Sequence, residues 1–89
     1  MLERQVEITN KLGLHARASA KLVQMLQGFK SNAWLIHRGR EINAKSIMGV
    51  MMLAAGKGSK VVIEIDGPDE GDAMDAIVSL IGDYFGEGQ

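Results

Sequence analysis

The residues best suited to chemistry fall in one short run, Asn10-Lys11-Leu12-Gly13-Leu14-His15-Ala16-Arg17. It sets a histidine where a glycine-containing loop gives way to a stretch of helix formers, Ala16 to about Gln27. The first backbone N–H groups of a helix lack internal partners and, together with the helix dipole, favour an anion. A neutral imidazole is a nucleophile, and histidine, with an ordinary pKa of about 6.5, is largely neutral near pH 7. A phosphoryl group carried on His15 would lie against the amides of Ala16 and Arg17, and the Arg17 guanidinium could bond two of its oxygens. The N–P bond so formed is labile, so the group can leave again, and the chemistry calls for no metal or cofactor. A histidine beside a helix start is also commonly a surface residue or a local cap, and spacing alone does not separate the readings.

Further positions bear on this site. Ser46 precedes the short apolar run Ile47–Leu53, where its hydroxyl would cap a helix. The alternative is a regulatory phosphosite, since a phosphate there would add about two negative charges and weaken docking to acidic partners. Methionines at helical spacing usually belong to a core, but a short helix cannot hide every side. Ile47 and Met48 are therefore expected in a docking patch, with Met51 or Leu53 packed inward. Ala20 and Lys21 are expected to extend that patch. His37 lies by a hairpin turn and is read as solvated, and Gly56-Lys57-Gly58-Ser59 lacks the rest of a phosphate-loop pattern and reads as a turn.

These residues need a scaffold, and its elements follow from periodicity. Alternation over residues 2–9 predicts a strand. Ala18, Leu22, Met25, Leu26 and Phe29 make one apolar helix stripe, with Gly28 as a stop. Ala33–Ile36 and Glu41–Asn43 flank a turn at His37–Arg40 and predict a hairpin. Lys60–Asp66 is the richest β-branched run and predicts a central strand. Pro68, Asp69, Glu70 and Asp72 suit the start of a last helix, whose stripe is Ala73, Ile77, Leu80, Ile81 and Tyr84. That helix should end near Phe85, leaving Gly86–Gln89 as a frayed tail. The order is β-α-β-β-α-β-α. Helix stripes must cover one face of a sheet, so the expected fold is α+β: a two-layer open-faced sandwich of four mostly antiparallel strands with three helices on one face.

With 89 residues the chain suits one domain spanning 1–89. It has only four aromatic residues, so Ile, Val, Leu, Met and Ala should build the core. The absence of cysteine favours a reducing, cytoplasmic setting, and neither a signal-peptide pattern nor a membrane-spanning run is evident. A net charge of −1 and a single aromatic strand candidate, Trp34, argue against nucleic-acid binding. Basic residues predominate from Lys11 to Lys60, and Asp66–Asp83 is almost purely acidic, an asymmetry able to steer an acidic partner.

Taken together, residues 10–17 resemble the active-site segment of the HPr family, the histidine-containing phosphocarriers of the bacterial phosphoenolpyruvate-dependent phosphotransferase system. Asn43-Ala-Lys45-Ser46-Ile-Met-Gly49-Val resembles the family's regulatory-serine segment. The spacing between the two motifs, the total length and the order of elements match as well, so the resemblance covers nearly the whole chain. The resemblance implies that His15 is phosphorylated on Nδ1 by phosphorylated Enzyme I, charged from phosphoenolpyruvate, and donates to an Enzyme IIA domain. It implies that Arg17 steadies the phosphoryl group, and that Ser46 is the target of an ATP-dependent HPr kinase/phosphorylase in bacteria that have one. The carrier would act as a monomer and would not itself be an enzyme. One departure is Ala18, where the family usually has proline; alanine keeps the helix but leaves its entry freer. Paralogues of a nitrogen-regulatory branch share the pattern, and the serine segment leans towards the HPr type. A binding module gated only by Ser46 phosphorylation, with His15 incidental, is the alternative reading.

Overall fold

A computed structural model describes residues 1–88. Strand β1 spans Leu2–Glu7, helix α1 Ala16–Gln27, β2 Asn32–His37, β3 Arg40–Asn43, α2 Ile47–Met52, β4 Lys60–Asp66 and α3 Glu70–Gly82, followed by a 3-10 turn at Tyr84–Gly86. The strands form one antiparallel sheet in the order β1-β4-β2-β3. The β-branched run is thus central: Ile63 pairs with Arg4 on one side and Leu35 on the other.

The period of two decides which face of the sheet is covered. Val61, Ile63 and Ile65 of β4 and Ala33 and Leu35 of β2 point inward and are buried, whereas Val62, Glu64, Trp34 and Ile36 on the other face are only half-buried. The helices pack on the inner face through Ala18, Leu22 and Leu26 of α1, Val50 of α2, and Ala73, Ile77 and Ile81 of α3. On the outer face Glu64 faces Glu3 across the ladder, and its carboxyl is raised above the ordinary value by partial desolvation and then by the Glu3 and Glu41 carboxylates. No helix among the described residues is long and apolar enough to cross a membrane.

Five expectations are corrected, the burial of Tyr84 among them. β1 stops at Glu7, because Ile8 exchanges bonds with Ser59 and Gly58 in the turn before β4. His37 is buried rather than solvated: as the third inward position of β2 it faces the helix layer, and its Nδ1–H donates to the Lys60 carbonyl oxygen at 3.1 Å. The last helix stops at Gly82 because Tyr84 and Phe85 adopt left-handed backbone with φ of 54°. That reversal exposes Tyr84 and buries Phe85 completely, so an aromatic residue is the largest side chain of the core. The tail from Gly86 to Gly88 is not frayed; it returns across α1 to His15, as the next section describes, and Gln89 lies outside the described residues.

Candidate functional site

His15 is the N-cap of α1, with extended backbone (φ −74°, ψ 178°), and its carbonyl receives the Ser19 N–H at 2.9 Å to close the first turn. No side chain among the described residues caps this end. The amides of Ala16 and Arg17 therefore retain the unpaired character of a helix start, and both residues are exposed.

The loop that delivers His15 is fixed from beneath. Leu14 is buried, its N–H donates to the Ala55 carbonyl at 2.9 Å, and its own carbonyl receives the Ser19 hydroxyl at 3.1 Å. Gly13 has φ +65°, and a Cβ there would come within 2.5 Å of the Ala55 carbonyl oxygen and 2.6 Å of Gly56 Cα. Glycine is thus required twice, for the backbone angle and for the close approach. Asn10 is fully buried, and its side-chain amide donates to the Gly13 carbonyl at 2.8 Å. With Leu14 pinned inward, the next side chain, His15, turns outward.

The far side of the imidazole meets the chain terminus. His15 Nε2 lies 2.6 Å from Glu87 Oε2, and Asn10 Nδ2 donates to Glu87 Oε1 at 3.1 Å. Lys21 Nζ donates to the Phe85 carbonyl at 2.7 Å and ties the same segment to α1. Partial burial pushes the Glu87 carboxyl upward, but the bonds from Asn10 and His15 and the nearby Lys21 charge outweigh it and hold the carboxyl below the ordinary glutamate value. An ionised carboxylate only accepts, so Nε2 carries a hydrogen and Nδ1 is the nitrogen left for chemistry. Lys11, Leu12, His15, Arg17 and Glu87 line an open cleft of about 270 Å³. Arg17 faces this cleft, exposed, and pairs with no carboxylate among the described residues.

This helix mouth matches a known family at the level of sequence. The model for the PTS HPr component phosphorylation site matches residues 2–83. The chain belongs to the HPr family. It is 61% identical to the phosphocarrier protein HPr of Cupriavidus necator over 89 residues, the full length of both. It is 39% identical to the phosphocarrier protein NPr of Escherichia coli, covering 97% of each chain. The crystal structure of an HPr from Thermoanaerobacter tengcongensis superimposes with a TM-score of 0.94 at 45% identity, covering 98% of each chain.

For an HPr-family chain the serine segment is also well defined. Ser46 is the N-cap of α2, and its hydroxyl oxygen accepts the Gly49 N–H at 3.1 Å, the bond expected of a cap. Just beyond it Ile47 is 41% and Met48 73% exposed, while Leu53 packs inward. Met51 and Met52 are exposed as well, and so is Leu12 beside His15. Five apolar side chains open to solvent on so small a domain make an unusual surface. Ala20 and Lys21 are half-buried, and the Lys21 ammonium is engaged by the Phe85 carbonyl. With Ala18 in place of the HPr family's usual proline, α1 still begins at Ala16, and Ala18 is fully buried.

Two residues of the site escaped sequence reasoning. Leu12 carried a signal, an isolated large apolar residue in a polar loop. Glu87 carried none, since it sits between glycines in a segment whose composition reads as a tail.

Proposed function

We propose that this chain is a phosphocarrier in which His15 Nδ1 accepts a phosphoryl group from phosphorylated Enzyme I and passes it to an Enzyme IIA domain. The observation that carries the reading is the shared aim of three features: an imidazole whose Nε2 is already occupied, and, among the described residues, a helix start with no side-chain cap and a guanidinium with no carboxylate partner, all around one open cleft. In the accepting step the Nδ1 lone pair attacks phosphorus, the N–P bond forms, and the bond to the donor breaks with its electron pair leaving on the donor. The developing charge on the phosphoryl oxygens falls beside the Ala16 and Arg17 amides and the Arg17 guanidinium. Donation reverses these events, and the electron pair of the N–P bond returns to Nδ1. The chain returns unchanged only after a partner takes the group, so it is a carrier and not an enzyme.

The docking surface is the apolar ground of Ile47 and Met48, joined by Leu12 and by Ala20 and Lys21 on α1. Flexible methionines suit a carrier that must fit a donor and an acceptor in turn. Ser46 borders this ground, and its phosphorylation by an HPr kinase/phosphorylase would set about two negative charges where acidic partners approach. The site is complete within one chain, which supports action as a monomer. A cysteine-free carrier serving these partners belongs in the cytoplasm. The 61% identity to a protein named HPr, against 39% to one named NPr, supports the sugar branch over the nitrogen-regulatory one.

Mixing the chain with Enzyme I and phosphoenolpyruvate tests the reading. One acid-labile, base-stable phosphate per chain is expected, lost in His15→Ala and retained in Ser46→Ala. Phosphate still incorporated by His15→Ala contradicts it.

A further inference from the structure

Glu87, which latches onto His15, lies outside the stretch that the family model matches, which ends at residue 83. It is nevertheless built into the fold. Phe85 is fully buried, and its left-handed backbone and that of Tyr84 turn the chain back towards α1. Lys21 holds the Phe85 carbonyl, and Asn10, itself fully buried, holds Glu87 Oε1. Left-handed backbone at two consecutive non-glycine residues persists only where surrounding contacts over-determine it. The side chain delivered by this construction is only 12% exposed.

We infer that Glu87 is a positioning residue for phosphoryl transfer, keeping a proton on His15 Nε2 throughout the cycle and stabilising the cationic ring that exists while Nδ1 carries phosphate. This deepens the carrier reading above and rests on it. Before transfer the neutral ring has its hydrogen on Nε2, given to Glu87, and its lone pair on Nδ1. When Nδ1 bonds to phosphorus the ring becomes an imidazolium without gaining or losing a proton. The positive charge then faces a carboxylate across a short hydrogen bond, on the side of the ring away from the phosphoryl group. When the N–P bond breaks, its electron pair returns to Nδ1 and the ring leaves as the same neutral tautomer. A neutral ring is a better leaving group than an anionic one, so holding the proton on Nε2 favours donation as well as acceptance. The carboxylate thus works on its histidine as the buried aspartate does in a serine hydrolase triad, orienting the ring and offsetting its charge without taking the proton.

Asn10 makes the acid hard to replace. Its Nδ2 donates both to Gly13 and to Glu87, and its Oδ1 is buried with no hydrogen-bond partner among the described residues. A glutamine at position 87 offers one accepting oxygen to two donors, so either His15 or Asn10 would face an N–H group. Turning the Asn10 amide to relieve this would cost Gly13 its donor.

The test compares the intact chain with Glu87→Gln and Glu87→Ala. Two quantities are read: the phosphoryl equilibrium with phosphorylated Enzyme I, and the His15 ring nitrogens by long-range proton–nitrogen NMR. A charge-assisted bond is about twice as strong as a neutral one, so Glu87→Gln is expected to lower the acceptance equilibrium about five-fold, and Glu87→Ala at least as much. In the intact chain a downfield, slowly exchanging Nε2–H signal is expected in both the free and the phosphorylated state. It should move upfield in Glu87→Gln and vanish into exchange in Glu87→Ala while the Phe85 ring signals and the urea midpoint stay unchanged, a combination that loosened packing of the returning segment would not produce. Both variants accepting phosphate as the parent does, with the Nε2–H signal unmoved, overturns the inference and leaves the carrier reading standing. A parent chain that takes no phosphate on His15 overturns both.

Discussion

Gly13→Ala is the sharpest probe of how the loop delivers His15. The substitution adds one methyl group, yet in the folded chain that methyl would sit 2.5 Å from the Ala55 carbonyl oxygen and 2.6 Å from Gly56 Cα. Ordinary contacts of this kind lie at about 3.5–4.0 Å, so the loop must lift by roughly 1 Å. Both obstacles are backbone, which cannot step aside as a long side chain would. Left-handed backbone costs an alanine about 1–2 kcal/mol, and the lift breaks the bond from Leu14 N–H to Ala55, worth about 0.5–1.5 kcal/mol. Against this, alanine stiffens the unfolded chain by about 0.4–1 kcal/mol. The net expectation is a loss of about 1–2 kcal/mol, or a fall in Tm of roughly 5–15 °C for a domain of this size. Gly58→Ala is the control: Gly58 also has positive φ (+90°), but a Cβ there meets nothing within 4 Å among the described residues, so the backbone penalty alone is expected. Calorimetry gives the stabilities, and phosphorylation by Enzyme I gives the consequence for His15. Gly13→Ala should be the less stable variant and should accept phosphate more slowly. If it matches Gly58→Ala in both, the close approach does not position the site and the reasoning fails.

Other outcomes follow from the same contacts. Phe85→Ala should cost about 3–5 kcal/mol in urea unfolding and should also erase the NMR signature of the bond between His15 and Glu87, because Phe85 anchors the returning segment. Ser46→Ala removes the acceptor of the Gly49 N–H and should cost about 1 kcal/mol while leaving phosphate acceptance on His15 intact. Asp69 is held below the ordinary aspartate value of 3.8, first by the Ser31 hydroxyl and then by the Lys30 N–H, with partial desolvation opposing. Its folded pKa lies under its unfolded one, so its stabilisation is complete above the ordinary value and disappears as pH falls through the lower folded value. Asp69→Asn should therefore flatten the acid limb of stability against pH, measured as the urea midpoint below about pH 4; an unchanged limb would refute the assignment.

Much of this molecule is legible in the sequence because its signals are local. The stripe of α1 predicts that helix to its observed bounds, and the β-branched density of residues 60–66 predicts the central strand. The helix-mouth chemistry is legible too, since the N-cap, the two amides and Arg17 are contiguous. What stayed hidden depends on contacts between distant residues. His37 looks like a turn residue until the register of β2 and β3 places it on the inner face. Phe85 and Tyr84 exchange burial because the backbone reverses its hand there, a choice dictated by packing rather than by any glycine at those positions. Glu87 reaches His15 across 72 positions of sequence, and the composition of its segment, rich in glycine, points away from order. The sequence motif therefore shows one side of the imidazole, and only the folded chain shows the other.

The central claim is that one nitrogen of one ring, His15 Nδ1, carries the phosphoryl group at the mouth of α1. Phosphorus–nitrogen coupling in the NMR spectrum of nitrogen-15-labelled chain, recorded after charging by Enzyme I and phosphoenolpyruvate, reads this directly. The account predicts a single phosphohistidine, with phosphorus coupled to Nδ1 of residue 15 and hydrogen retained on Nε2. Phosphorus found on Nε2, on His37 or on a serine under those conditions would contradict it.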